Sequence, residues 1–142
     1  MEAITQKPKV LYTAKTHTTG GREHGLSRSS DGHLEVRLST PGTDGIVTNP
    51  EQLFAAGWSA CFEGAMSIVA RKRNIQLPAD TAIDAEVDLC VDRGQYFLQA
   101  RMNVTVPGLD KAIAQEIVEE SRGVCPYSKA TENNMKVEFN VL

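Results

Sequence analysis

Two cysteines carry the chemistry that this sequence can do. Cys61 lies in Asn49-Pro50-Glu51-Gln52-Leu53-Phe54-Ala55-Ala56-Gly57-Trp58-Ser59-Ala60-Cys61-Phe62, a segment that opens with a proline and a carboxylate and then becomes almost wholly apolar. A thiol held there is either a small buried hydrophobe or a protected nucleophile. Cys125, in Val124-Cys125-Pro126-Tyr127, tilts the choice, because a pair of thiols suggests redox chemistry. Cys90 falls on the polar phase of its own segment and reads as a partly exposed spectator. The cysteines lack the close paired spacing of a zinc site, and His17, His24 and His33 are not spaced as a helical ligand pair. A Cys/His hydrolase would need a histidine within hydrogen-bond reach of a cysteine, and none of the three sits in a recognisable setting for it.

A helix and the elements after it must position these residues. Asn49 is a good N-cap, Pro50 suits the first helical position, Gln52 can complete a capping-box-like exchange, and the helix is predicted to run to about Arg73. Apolar residues occupy nearly every angular position, the pattern of a buried central helix. Gly57, Ala60, Cys61, Gly64 and Ala65 add a small-residue surface, which implies a helix partner.

Ahead of this helix, alternation at Val10, Tyr12 and Ala14 and at Leu34, Val36 and Leu38 predicts two half-buried strands. Thr18 to Gly25 is polar and glycine-rich, a loop that delivers Arg22, and Pro41 to Val47 is a second short loop. Beyond the helix, Ile83 to Val91 and Tyr96 to Val106 alternate around Arg93-Gly94 and predict a long antiparallel hairpin. Leu109 to Val118 marks an amphipathic helix stopped near Gly123, a short helix can begin at Pro126, and Met135 to Leu142 closes the chain as a strand. The order is α+β, antiparallel sheet wrapped on a helical centre.

A chain of 142 residues with 15 basic and 18 acidic side chains fits one domain, residues 1–142, and carries no basic run or aromatic-rich surface for nucleic acid. Met1 to Tyr12 lacks the apolar core of a signal peptide, and the apolar runs look too short to span a bilayer, so a soluble, cytoplasmic protein without a membrane partner is expected. Three cysteines, an odd number, fit a reducing compartment where any disulfide is transient.

Gly20-Gly21-Arg22-Glu23, Ser30-Asp31-Gly32, Thr48-Asn49-Pro50-Glu51-Gln52-Leu53-Phe54-Ala55-Ala56-Gly57, Ala60-Cys61-Phe62 and Val124-Cys125-Pro126-Tyr127-Ser128 together resemble the organic hydroperoxide resistance (Ohr) proteins of the OsmC/Ohr superfamily, nearly end to end. The resemblance implies an OsmC/Ohr-like fold in an intertwined homodimer. It also implies a thiol peroxidase that reduces organic hydroperoxides (alkyl, aryl or fatty acid) to alcohols without metal, flavin or haem, recharged by a dithiol of the lipoyl type, such as a lipoylated protein. On matched positions, Cys61 would be the peroxidatic thiol, Cys125 the resolving thiol, Arg22 the activating arginine and Glu51 the carboxylate that holds it. Trp58 departs from the pattern, standing where a tyrosine is common, as do Glu63 and Lys129.

That chemistry explains the residue types. An ordinary cysteine, with a pKa of about 8.5, is mostly protonated at neutral pH, and a guanidinium beside it would favour the thiolate and then the leaving alkoxide. A sulfenic acid formed at Cys61 needs a second thiol nearby before further oxidation becomes irreversible. Phe54, Trp58, Phe62, Met66 and Tyr127 could line an apolar entry for substrate, or simply be core. Glu51 precedes Cys61 by ten residues, about 15 Å along one helix, so one Arg22 could reach both only if they come from different subunits or if the helix breaks. The competing reading is a redox-sensing or ligand-binding dimer that uses a reversible disulfide without turnover.

Overall fold

The computed structural model describes residues 8–42 and 47–142, which fall into two compact units, Met1–Pro50 and Glu51–Leu142. In the first unit, β1 (Thr16–Thr19), a one-turn helix α1 (Gly21–His24), β2 (Leu26–Ser29) and β3 (Glu35–Arg37) follow one another. The three strands form an antiparallel sheet in the order β1-β2-β3. Asp31 organises the β2–β3 turn by accepting from Ser29 Oγ and from the His33 N–H.

Two expectations are corrected here. Residues 10–14 are not a strand: Val10, Leu11 and Tyr12 are exposed, and the first strand starts at Thr16. Alternation specifies a strand only where a neighbouring edge pairs with it, and here the edge of β2 is taken up by Thr16–Thr19. The stretch read as a loop from Thr18 to Gly25 instead holds the end of β1 and α1, with Arg22 on the latter. Gly20 permits this junction, since its φ is +75° and a Cβ there would lie 2.2 Å from the His24 carbonyl oxygen. The loop expected at Pro41 to Val47 lies mostly outside the described residues.

The second unit is built on α2 (Pro50–Lys72), followed by β4 (Ala82–Asp92), β5 (Gln95–Thr105), α3 (Lys111–Ser121), α4 (Pro126–Thr131) and β6 (Val137–Val141). Pro50 opens α2 as expected, and the helix is unbroken for 23 residues. It stops in a Schellman arrangement: Asn74 takes a φ of +58°, its N–H bonds to the Arg71 carbonyl, and the Ile75 N–H reaches back to Ala70. Arg73 then pairs with Glu116 at 2.7 Å and also with Glu120, fastening the end of α2 to α3.

β4 and β5 form the expected hairpin, with Arg93 and Gly94 both at positive φ, +52° and +76°, as a type I′ turn requires. β6, however, pairs with β5 in parallel, where antiparallel sheet was expected throughout. The reason lies in connectivity: α3 and α4 carry the chain from the end of β5 back to its middle, where Val137 stands opposite Ala100, and such a crossover delivers a parallel neighbour. Asp110 starts α3 by accepting from the Ala112 and Ile113 N–H groups at 2.9 and 3.3 Å.

The core gathers Trp58, Phe62, Ala65, Met66, Val69 and Ala70 of α2 with Ala100, Met102 and Val104 of β5, Ala114, Ile117 and Val118 of α3, and Cys125. α2 is therefore buried along one face only. Ala56, Ala60, Gly64 and Ile68, spaced four apart, form an exposed stripe in the single chain. By length and composition α2 is long and apolar enough to cross a membrane, with a mean hydropathy of 1.4 over its best window, which corrects the expectation that every apolar run is too short; the core helix of a globular protein passes the same test.

Candidate functional site: a pair of thiols between two helices

Cys61 projects from α2, and Cys125 is the residue that starts α4. Ser121, at the end of α3, accepts the Cys125 N–H at 2.9 Å, and the Cys125 carbonyl in turn accepts the first α4 bond from Lys129 at 3.0 Å. Cys125 has extended dihedrals, φ −68° and ψ 120°, which suit a residue before proline. It is wholly buried, Cys61 is half-buried, and both thiols are free. The Cys61 and Cys125 thiols share a hydrogen bond, with their sulfurs 3.5 Å apart. A disulfide is about 2.05 Å long, so closure requires an approach of only about 1.5 Å.

Burial pushes the Cys61 pKa above the ordinary thiol value, and the hydrogen bond shared with Cys125 adds to that rise by favouring the neutral Cys61 thiol. The backbone N–H of Tyr127, in the first turn of α4, acts in the other direction by donating to the Cys61 sulfur.

The aromatic residues named from the sequence divide into two sets. Phe54 meets Trp58 and Tyr127 edge-on, with ring centroids 5.6 and 6.4 Å apart, and forms an aromatic cluster one to two turns before Cys61. Phe62 and Met66, like Trp58, are fully buried core, with Phe62 packed on Phe139 at 5.0 Å. Gly57 lets Tyr127 lie against α2: a Cβ there would stand 3.0 Å from the tyrosine hydroxyl. Glu51 is buried in the first turn of α2, and Arg22 lies on α1 of the other unit, exposed. α2 runs unbroken past both Glu51 and Cys61, so a helix break between them is ruled out.

One feature escaped the sequence. The Trp58 indole N–H donates to Ser128 Oγ at 3.0 Å, both side chains buried, linking α2 to α4 a turn away from the thiols. The signal was in the spacing: Trp58 precedes Cys61 by three residues and Ser128 follows Cys125 by three, so each pair shares a helix face. Among the described residues no group of three or more His, Cys, Asp or Glu side chains is arranged to hold a metal ion.

An α+β protein with two reduced thiols in contact across a helix junction is thus the class that fold and site define. The family model for OsmC-like proteins matches residues 41–140. The chain is 47% identical, over 94% of its length and 96% of the relative's, to an organic hydroperoxide resistance protein of Xanthomonas axonopodis pv. citri. Among solved structures it is similar to organic hydroperoxide resistance protein OhrB of Bacillus subtilis, with a TM-score of 0.88 and 39% identity over 94% of this chain and all of that one. An organic hydroperoxide resistance protein from Elizabethkingia anophelis gives a TM-score of 0.85 at 36% identity, over 94% and 98% of the two chains. The chain belongs to the OsmC-like family, in its organic hydroperoxide resistance (Ohr) branch.

Proposed function

We propose that the protein is a cysteine-based peroxidase that reduces organic hydroperoxides to alcohols. The observation that carries this reading is the 3.5 Å contact between the Cys61 and Cys125 sulfurs, both free, in a chain whose relatives are named for organic hydroperoxide resistance. The Cys61 thiolate attacks the peroxide O–O bond; the sulfur takes one oxygen to become a sulfenic acid, and the other oxygen leaves with the organic group and a proton as the alcohol. The Cys125 thiol then displaces water to give the Cys61–Cys125 disulfide. A dithiol, such as a lipoyl group on a carrier protein, takes up the disulfide's oxidation and restores both thiols.

Arg22 is proposed as the cation that favours the Cys61 thiolate, with Glu51 orienting it. Continuity of α2 keeps Glu51 and Cys61 of one chain about 15 Å apart along the axis. A single guanidinium serving both therefore calls for a homodimer in which they come from different chains, and the exposed stripe of Ala56, Ala60, Gly64 and Ile68 supports such an assembly. Phe54 and Tyr127 would meet the organic part of the substrate, with Trp58, Phe62 and Met66 backing them from the core. The chain is taken as one working domain in the cytoplasm, with no nucleic acid or membrane partner.

The experiment is peptide mass spectrometry on reduced protein after one equivalent of an alkyl hydroperoxide, beside hydrogen peroxide and a Cys61→Ser control. Rapid Cys61–Cys125 disulfide formation, faster with the alkyl compound and absent in the control, is expected. Two cysteines that stay reduced would end the peroxidase reading. Disulfide formation without multiple turnovers in the presence of a dithiol would favour a redox sensor instead.

A further inference from the structure

Besides the Phe54–Tyr127 ring contact, two side-chain hydrogen bonds join α2 to α4, one turn apart on each helix. One is the thiol pair. The other is the Trp58 indole N–H on Ser128 Oγ, at 3.0 Å, with Trp58 0% and Ser128 6% exposed. α4 has six residues and its N-cap, Cys125, makes no side-chain capping bond, so the helix has little stability of its own. Nor is it packed tightly all round. A cavity of about 110 Å³ lies beside it, bordered by Ser128, Thr131 and Glu132 on one side and by Trp58, Val137 and Phe139 on the other. Of the two hydrogen bonds, the thiol pair is the one that reaction consumes, which leaves the indole–hydroxyl bond as the buried polar tie between α4 and α2 while Cys61 is oxidised.

We propose that Trp58 and Ser128 are positioning residues for disulfide formation, keeping α4 in the register on α2 from which Cys125 can reach the Cys61 sulfur. The inference rests on the peroxidase reading above. In the step concerned, the Cys125 sulfur attacks the Cys61 sulfenic sulfur; the S–S bond forms as the S–O bond breaks, and the hydroxyl leaves as water with the proton given up by Cys125. Sulfur at Cys61 is reduced and sulfur at Cys125 oxidised, with the organic hydroperoxide as the source of oxidising equivalents. Without the bond a buried indole N–H loses its acceptor, and α4 can drift over the cavity beside it. The sulfenic acid then persists and meets a second hydroperoxide before it meets Cys125.

The test compares Ser128→Thr with Ser128→Val, side chains of one shape that differ in the hydroxyl, the added methyl having the neighbouring cavity to occupy. Each variant and the wild-type protein is mixed with one equivalent of an alkyl hydroperoxide. Consumption of the Cys61 thiol and appearance of the disulfide are followed separately, with the sulfenic acid captured by a cyclic 1,3-diketone and read by mass spectrometry. The expected result is unchanged Cys61 oxidation in all three proteins. Disulfide formation should be roughly tenfold slower in Ser128→Val, the size expected when a buried donor is left unsatisfied, and close to wild type in Ser128→Thr. With excess hydroperoxide, Cys61 sulfinic acid should accumulate in the valine variant alone. Trp58→Phe, which removes the donor and keeps the hydroxyl, should reproduce the valine behaviour. Normal resolution in either Ser128→Val or Trp58→Phe overturns the positioning role and leaves the peroxidase intact. Failure of the wild-type Cys61 to oxidise at all overturns both.

Discussion

Cys61 is subject to opposing influences that only its surroundings can resolve. Burial and the hydrogen bond shared with Cys125, which favours the neutral Cys61 thiol, raise its pKa, and the Tyr127 N–H recovers part of that rise. A thiol whose folded pKa lies above its unfolded one holds its proton longer in the folded protein, so this site's contribution to stability is complete below the unfolded pKa and is lost as pH rises through the folded one. For a nucleophile the same sign disfavours the thiolate, so the reaction calls for a favourable charge to offset it. If Arg22 supplies it, the assembled protein should show Cys61 titrating below the ordinary value of about 8.5, and Arg22→Ala should move it above that value. Peptide-resolved alkylation rates across a pH series, in a Cys90→Ser background, measure this directly. Identical Cys61 profiles for wild type and Arg22→Ala would remove Arg22 from the mechanism.

At the scale of elements, the site depends on how closely α4 lies on α2. Gly57 sits one turn before Cys61, and an added methyl there meets the Tyr127 hydroxyl at 3.0 Å. Replacing a helical glycine by alanine gains about 1 kcal/mol of helix stability. Tyr127 is 41% exposed and can swing outward, so the gain should outweigh the contact. Gly57→Ala is therefore expected to unfold at a higher denaturant concentration by roughly 0.5–1 kcal/mol while reacting more slowly with bulky aryl hydroperoxides, because the displaced ring changes the aromatic cluster. A variant both less stable and catalytically normal would show that the ring cannot move.

The sheet offers a pH test: Arg101 grips Asp88 through two bonds of 2.8 Å and holds its carboxyl far below the usual range, with Gln99 assisting. A depressed folded pKa gives stability that is present above about pH 4 and lost as the pH falls further. Asp88→Asn should flatten that acid limb in urea melts while leaving the melts at pH 7 to 8 only modestly lower, since the pair is partly exposed. An unchanged acid limb would mean the pair is already screened.

Much at this scale is legible in the amino-acid sequence, wherever period and punctuation agree: Pro50 opening the long helix, Arg93-Gly94 turning the hairpin, and the two cysteine blocks. Local pattern fails where the outcome depends on distant partners. The alternation at Val10 to Ala14 finds no paired edge among the described residues of the single chain, the direction of β6 is set by a two-helix crossover, and the Trp58–Ser128 bond joins residues 70 positions apart.

For the whole molecule, the continuity of α2 makes subunit organisation testable in solution. If Glu51 and Cys61 of a single site come from different chains, a dimer mixing Glu51→Gln with Cys61→Ser contains one intact site, formed by Glu51 of the second chain and Cys61 of the first. Each variant alone should be nearly inactive, and refolding the two together should restore up to about a quarter of wild-type turnover, since half of randomly paired dimers are mixed and each carries one working site of two. No recovery on mixing would put both residues within one chain and end the crossed-site reading.

Gly64 supplies the control that separates assembly from folding. It is exposed on α2, and a Cβ built there meets nothing within 4 Å in its own chain. Gly64→Leu should therefore leave the single chain folded and its helix slightly favoured. A partner helix packed on the small-residue stripe would have no room for the leucine, so sedimentation should shift from dimer to monomer and peroxidase turnover should fall together with it. A dimer that survives Gly64→Leu with full activity would mean that this face of α2 is not where the chains meet, and that Glu51 of one chain and Cys61 of the other come together across a different face.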